Sequence, residues 1–266
     1  MKILFFGDIV GKIGRKAMAK ALPELKEKYQ PDVVIANVEN LAHGKGVTAK
    51  TLTEVKEAGV DLLTSGNHVW KKEDVAKAIC ESGTCLVTPT NDPRTPKGQG
   101  YKVLKIGELK LFVVNLLGRV FINEEDLRCP FKEIDQILGE QNTKDFNAII
   151  VDLHAEATSE KIAMGWYLDG KISAVLGTHT HVPTADYKIL PQGTGYVTDV
   201  GMVGPVESVL GVKKDIIIEK FLTDSAIVFK IPEAGEVEIN AIYLEIDDKT
   251  KFATKIEKVY TIITIN

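Results

Sequence analysis

The chain is short of cysteine, of long apolar runs and of positive charge, and each shortage closes off a class of protein. Its three cysteines, Cys80, Cys85 and Cys129, form no CxxC pair. That excludes a disulfide framework or a thiolate zinc site and reads as a protein of a reducing compartment. The first apolar run, Ile3 to Phe6, is interrupted by Gly7 and Asp8. A signal peptide needs roughly 7–15 apolar residues and a membrane span about 18, and no such run follows, so a cytoplasmic protein without membrane contact is expected. Positive charge is not in excess, since 33 Lys and Arg stand against 37 Asp and Glu for a net charge of −4. Such a balance gives no wholesale attraction to nucleic acid or anionic membranes; a small anionic ligand in a local pocket is expected, and no polymeric nucleic acid. What remains is an ordinary globular composition, 44% apolar and 26% charged, without linker or repeat, which predicts one domain spanning 1–266.

Short apolar runs alternate with stretches of helical spacing. Ile3–Phe6, Asp32–Val38 and Val60–Thr64 read as buried strands, each followed by a helix: about Lys12–Tyr29, Thr48–Ala58 with Thr48 as N-cap, and Lys71–Glu81. These strand-helix units predict a largely parallel sheet. Pro89–Gly100 is a loop, and Tyr101–Ile106 and Leu109–Leu116 flank Gly107-Glu108 as a hairpin. Next come a helix near Phe131–Leu138, a strand Ala148–Leu153 ending at His154, a helix Thr158–Leu168 and a strand Ile172–Leu176. The remainder reads as strands Tyr187–Leu190, Gly195–Val200, Ala226–Ile231, Glu236–Ile246 and Lys251–Ile265, with a helix over Lys213–Phe221. Parallel strands early and antiparallel strands late predict an α/β fold of two packed mixed sheets flanked by helices. Trp70 and Trp166 read as core aromatics, and Cys80 and Cys85 as inert thiols.

Polar side chains gather where strands end: Asp8, Glu39-Asn40, Asn67-His68, His154, and His179 with His181. Ligands of open α/β sheets bind at the carboxyl ends of strands. A lone histidine there is usually structural, but four of the chain's five histidines share these positions with carboxylates and carboxamides. The pair His179-x-His181 places both imidazoles on one side if the segment is extended. Mixed imidazole, carboxylate and amide donors suit Mn, Fe or Zn. A Glu39 bridging two ions about 3.5–4 Å apart would make the clamp used for displacement at phosphorus. The GDIVGK stretch (7–12) is no Walker loop, because its glycine spacing is short and Ile13 replaces Ser/Thr. His43 and Lys45 read as surface residues, and Thr158-x-x-Lys161 as a helix start.

The blocks GD (7–8), GNH (66–68), His154 and GTHTH (177–181) resemble, in order and spacing, those of calcineurin-like metallophosphoesterases. GDIVG (7–11), VENLAHGKG (38–46), GNHVW (66–70), HAEATSEK (154–161), GTHTHVPTAD (177–186) and TDVGMVGP (198–205) are similar to the YmdB-type subfamily. The resemblance implies the α-β-β-α metallophosphoesterase sandwich and a phosphodiesterase of 2′,3′-cyclic nucleotides with two divalent ions, iron or manganese, with zinc as the alternative. It further implies that Asp8, Glu39, Asn40 and His181 hold one ion and Glu39, Asn67, His154 and His179 the other, with a metal-activated hydroxide attacking phosphorus and His68 as general acid. Val10 stands where the wider superfamily has a histidine, so Asn40 would supply an amide oxygen in its stead. A broader phosphomonoesterase or nucleotidase, and a nucleotide-sensing binding protein, are the alternatives. The partner expected is a small phosphate ester, and a homo-oligomer is expected from the sheet edge that the late strands leave.

Overall fold

The computed structural model describes residues 1–72, 75, 86–223 and 226–266. The strands are β1 Lys2–Ile9, β2 Val33–Asn37, β3 Leu62–Thr64, β4 Tyr101–Ile106, β5 Leu109–Leu117, β6 Ala148–His154 and β7 Ala174–Thr178. They continue with β8 Lys188–Ile189, β9 Gly195–Val197, β10 Met202–Pro205, β11 Ser208–Val209, β12 Val212–Lys213, β13 Gly235–Ile246 and β14 Ala253–Ile265. The helices described are α1 Gly11–Tyr29, α2 Ala49–Glu57, α3 Pro130–Glu140, α4 Thr158–Leu168 and α5 Lys214–Thr223. One sheet runs β14-β13-β10-β1-β2-β3 and the other β4-β5-β6-β7-β9-β8, both mixed, with β11 and β12 as a separate hairpin.

Alternation along the strands builds four layers. Ile3 and Phe5 of β1, Val33 and Ile35 of β2, Leu111 and Val113 of β5, and Ala148 and Ile150 of β6 meet between the sheets. Their neighbours point outwards. Leu4, Phe6 and Val34 pack on α1 and α2 through Ile13, Met18, Leu22 and Leu52, while Phe112, Val114 and Val151 pack on α3 and α4 through Ile134, Met164 and Leu168. Each such apolar side chain, buried in full, contributes about 1.5–3 kcal/mol relative to exposure. The sandwich of two sheets between helices is therefore written in the parity of the apolar runs.

The inward parity changes chemistry at the strands' carboxyl ends. Val33 and Ile35 lead to Asn37 on β2, Leu111 and Val113 to Asn115 on β5, Ala148 and Ile150 to Asp152 and His154 on β6, and Ala174 and Leu176 to Thr178 on β7. These polar groups are fully buried and satisfy one another across the gap. Asn37 Nδ2 donates to Ser65 O at 3.0 Å and Asp152 Oδ2 at 3.1 Å. Thr178 Oγ1 donates to Asp152 Oδ1 at 2.7 Å. Buried polar groups persist only when paired, so this layer locks the sheets in register beneath the site.

Thr48 caps α2 as expected, with Thr51 completing a reciprocal capping box. Three expectations are corrected. The sheets do not divide into early parallel and late antiparallel halves: β13 and β14 return to the first sheet, where β13 pairs antiparallel with β1 and β10, and the parallel run β5-β6-β7-β9 builds the second. Ala226–Ile231 forms no strand; among the described residues its one ladder-like bond is Lys213 N–H to Lys230 O at 2.8 Å. Trp166 is 54% exposed, because α4 turns Lys161, Met164, Gly165 and Leu168 inwards. Trp70 is partly buried against the core, its indole N–H on Asp92 Oδ2 at 3.0 Å. Most of the expected helix Lys71–Glu81, with Cys80 and Cys85, lies outside the described residues, and Cys129 is a free thiol. No helix among the described residues is long and apolar enough to cross a membrane.

Candidate metal centre

Asp8 should by simple alternation point outwards with Leu4 and Phe6. The register between β1 and β2 slips between Phe6 and Asp8, a bulge at Gly7 that inverts the parity, so Asp8 turns into the site while Ile9 joins the outer core. Gly7 is required there, since a Cβ would lie 1.8 Å from Gly201 O. Glu39 and Asn40 follow β2, Asn67 and His68 open the 3-10 turn Asn67–Lys71 after β3, His154 ends β6, and His179 and His181 follow β7.

These residues converge. His154 Nε2 lies 3.2 Å from Glu39 Oε2 and 2.9 Å from His179 Nδ1, and one donor atom from each of the three falls within 4.8 Å of the others. His68 Nδ1 lies 2.9 Å from Glu39 Oε1 and 3.0 Å from Asn40 Oδ1, and the His68 backbone N–H donates to Glu39 Oε2 at 2.8 Å. Asn40 Nδ2 donates to Glu39 Oε1 at 3.1 Å and sits 3.1 Å from His181 Nε2. Asp8 Oδ1 is 3.9 Å from both His181 Nε2 and His154 Nδ1. Glu39 thus lies between a His154–His179 group and an Asp8–Asn40–His181 group.

Two buried oxygens have no hydrogen-bond partner among the described residues: Asp8 Oδ1, 3.9 Å from His154 and His181, and Asn67 Oδ1, on the turn after β3. Leaving such an atom unsatisfied costs about 1–3 kcal/mol, more for a charge, and a cation would satisfy both. Gly66 keeps the space open: a Cβ there would lie 2.3 Å from Glu39 Oε2 and from His154 Nε2. The donors present fit a metal ion. Asn40 turns its nitrogen to Glu39 and His181; rotation of the amide by half a turn would present its oxygen to that side instead. Gly66→Ala is expected to displace Glu39 and His154 and to abolish metal uptake by the purified protein, measured as metal per chain, while the fold is retained by circular dichroism.

The electrostatics of the protein side chains alone are those of a site built around positive charge. Burial raises Asp8 and pushes Asp152 up to about 6. Burial also opposes ionisation of Glu39, but His154 and His68 outweigh it and hold that carboxyl well below the usual range. Against its own burial, His154 is lifted to about 9 by Glu39, Asp8 and Asp152. His179, desolvated and beside His154, falls to about 3. One proton on His154 therefore neutralises a crowded set of carboxylates, and metal binding would displace it.

Several contributors escaped the sequence reading. Thr178 Oγ1, already donating to Asp152, lies 2.9 Å from His154 Nδ1, which fixes that nitrogen as the donor and turns Nε2 to the centre. Asp152 could have been found by parity, two residues before His154 on the same face. Glu156 Oε2 lies 2.9 Å from His179 Nε2. Lys161 does lie on the first turn of α4, but it is buried and donates to Asp199 Oδ2 at 2.7 Å. The same oxygen accepts the Thr180 N–H at 3.0 Å and hydroxyl at 2.8 Å. That clamp explains a further correction: the segment after β7 is not extended. His179 and His181 have φ of 108° and 66°, left-handed values that cost energy for non-glycine residues, and Asp199 with the Asp8 carboxylate, which accepts the His179 N–H at 3.1 Å, holds them there. His43 is exposed, with φ 56°, and Lys45 lies over the Phe229 ring.

The family model described as YmdB-like protein matches residues 4–259. The chain belongs to the YmdB-like family. It is 45% identical over 259 residues to the 2′,3′-cyclic-nucleotide 2′-phosphodiesterase of Bacillus subtilis (strain 168), covering 97% of this chain and 96% of that one. Among solved structures, a hypothetical protein from Thermus thermophilus superposes with a TM-score of 0.89 at 38% identity, over 98% of this chain and 99% of the other. A structure described as a novel phosphatase from Mycoplasma pneumoniae gives 0.91 at 37% identity, over 98% and 93%. Both structures thus share this fold over nearly the whole chain.

Proposed function

We propose that the chain is a metal-dependent phosphodiesterase that opens 2′,3′-cyclic nucleotides to monoesters. The observation that carries this reading is the buried Asp8 Oδ1, without a hydrogen-bond partner among the described residues and 3.9 Å from His154, beside the converging donors of Glu39, His154 and His179. The name of the 45% identical relative supports the substrate class.

Asp8, Glu39, Asn40 and His181 would hold one divalent ion, and Glu39, Asn67, His154 and His179 a second, of iron or manganese by family resemblance, the donors themselves suiting Mn, Fe or Zn. Ions held there would polarise the phosphoryl oxygens and acidify the attacking water. The chain's own residues do the rest. Asp152 and Thr178 orient His154, and Asp199, charge-balanced by Lys161, fixes the backbone that presents His179 and His181. His68 stands at the rim with its side chain 22% exposed. Its Nδ1 is engaged by Glu39 and Asn40, and its Nε2 has no partner among the described residues. His68 protonates the departing ribose oxygen from Nε2.

The test is turnover of 2′,3′-cyclic AMP and of p-nitrophenyl phosphate on one preparation, with Mn²⁺ or anaerobic Fe²⁺ added and then with chelator. Faster, chelator-sensitive turnover of the cyclic diester is expected. A faster monoester would make the enzyme a general phosphatase. Silence on both substrates from a metal-loaded protein would leave a nucleotide-binding role.

A further inference from the structure

Beside the metal centre lies a groove of about 1090 Å³ between the first turns of α1 and α2 and the segment 229–233. Six lysine and arginine side chains line it against three carboxylates, a surplus of positive charge in a chain whose net charge is −4. Arg15 is committed to Glu54, at 2.6 Å. The ammonium groups of Lys12, Lys50, Lys213 and Lys230 make no ion pair or hydrogen bond among the described residues. The same wall carries an aromatic ring, Phe229, 41% exposed, over which the flexible Lys45 and Lys220 side chains place their ammonium groups at 5.7 and 5.0 Å from the centroid.

The groove adjoins the proposed catalytic centre along the backbone. Gly11 N–H, on its wall, donates to Asn40 O at 2.9 Å. His43, at its rim, follows Asn40 by three residues of chain, at most about 11 Å. The hairpin that delivers Lys213 to the groove also presents Leu210 O to His181 Nδ1 at 3.1 Å. Small-molecule sites occupy about 300–1,000 Å³, and none of the proposed metal ligands lines this groove, so a mononucleotide held at the metal centre would leave most of it unfilled. A positively charged groove with an exposed aromatic is the arrangement that tracks a single strand, phosphates on the cations and a base on the ring.

We propose that the groove holds the nucleotides upstream of the reacting end of a short single-stranded RNA, so that the enzyme acts on oligoribonucleotides ending in a 2′,3′-cyclic phosphate as well as on mononucleotides. The inference rests on the proposed activity. The chemistry is unchanged: water adds to phosphorus, one ring P–O bond breaks, and the released ribose oxygen takes a proton, leaving a terminal phosphomonoester. The whole-chain charge balance averages over a surface whose charge is unevenly spread, so it does not weigh such a local groove.

Two readouts separate the groove from the reaction. The first is fluorescence anisotropy of a labelled octauridylate with a free 3′-hydroxyl, which offers no cyclic phosphate to cleave, on the metal-loaded protein. The second compares kcat/KM for 2′,3′-cyclic AMP and for a tetraribonucleotide with a cyclic end. In the variant Lys12→Glu, Lys213→Glu, Lys230→Glu, octamer affinity is expected to fall at least about tenfold, with the log–log salt slope smaller by about 2. Tetranucleotide kcat/KM falls in parallel, and 2′,3′-cyclic AMP turnover is unchanged. Phe229→Ala should weaken the octamer without changing the salt slope. Equal octamer binding by wild type and variant, or no binding by wild type, overturns the groove. Octamer binding that depends on these lysines in a protein hydrolysing neither substrate would keep the groove and remove the proposed activity. If the charge reversals unfold the chain, the three Lys→Ala substitutions made singly decide the same binding comparison.

Discussion

Glu39→Gln is expected to weaken metal binding by more than the roughly 10–100-fold that follows loss of an orienting residue, and to take turnover of 2′,3′-cyclic AMP with it. The carboxylate is 1% exposed, so its charge acts at low dielectric, where electrostatic effects are largest. It also stands at the meeting of both donor groups, touching His154 on one side and Asn40 on the other. Glutamine keeps the shape and removes the charge, so the fold should survive while the centre loses the anion that both groups share. Metal per chain after dialysis, with an activity titration against added Mn²⁺, measures the effect. Retention of full metal content at wild-type affinity would show that Glu39 is no ligand.

His68→Ala should leave metal content near that of the wild type and lower turnover by about 10²–10⁴-fold, the usual worth of a positioned acid. The substitution frees Glu39 Oε1 from the ring, but the backbone N–H of residue 68 still donates to Oε2 at 2.8 Å, so the carboxylate keeps its place. A leaving group that needs no proton discriminates between roles. On bis(p-nitrophenyl) phosphate, whose departing phenolate is stable, the loss should shrink to a small fraction of that on the cyclic nucleotide. An equal loss on both substrates, or metal lost in parallel, would make His68 a structural support of Glu39.

The legible part of this protein is the part governed by local periodicity. Apolar alternation in Ile3–Phe6, Asp32–Val38 and Ala148–Leu153 names the strands and both of their faces, and Thr158–Leu168 is a helix with the expected ends. The polar residues closing those strands could be listed as site residues because chain order alone puts them at carboxyl ends. Asp152 and Thr178 were equally accessible by parity, two residues before and at the end of their strands. Ala226–Ile231 shows the reverse failure: its apolar residues look like a strand, but among the described residues it makes a single ladder-like bond, to Lys213 of β12, and it instead walls the groove with Phe229 and Ile231.

By itself the sequence determined the strand-helix alternation, the inward and outward faces, and which side chains reach the strand ends, because these depend on residues adjacent in the chain. Tertiary structure decided the rest. The bulge at Gly7 that turns Asp8 inwards depends on the register with β2 and the close approach of Gly201. The left-handed backbone at His179 and His181 depends on a clamp from Asp199, paired to Lys161 across 38 residues. The basic groove draws its cations from α1, α2, β12 and the strandless segment before β13. Each of these comes from groups far apart in sequence whose energies count only once the sheets have packed.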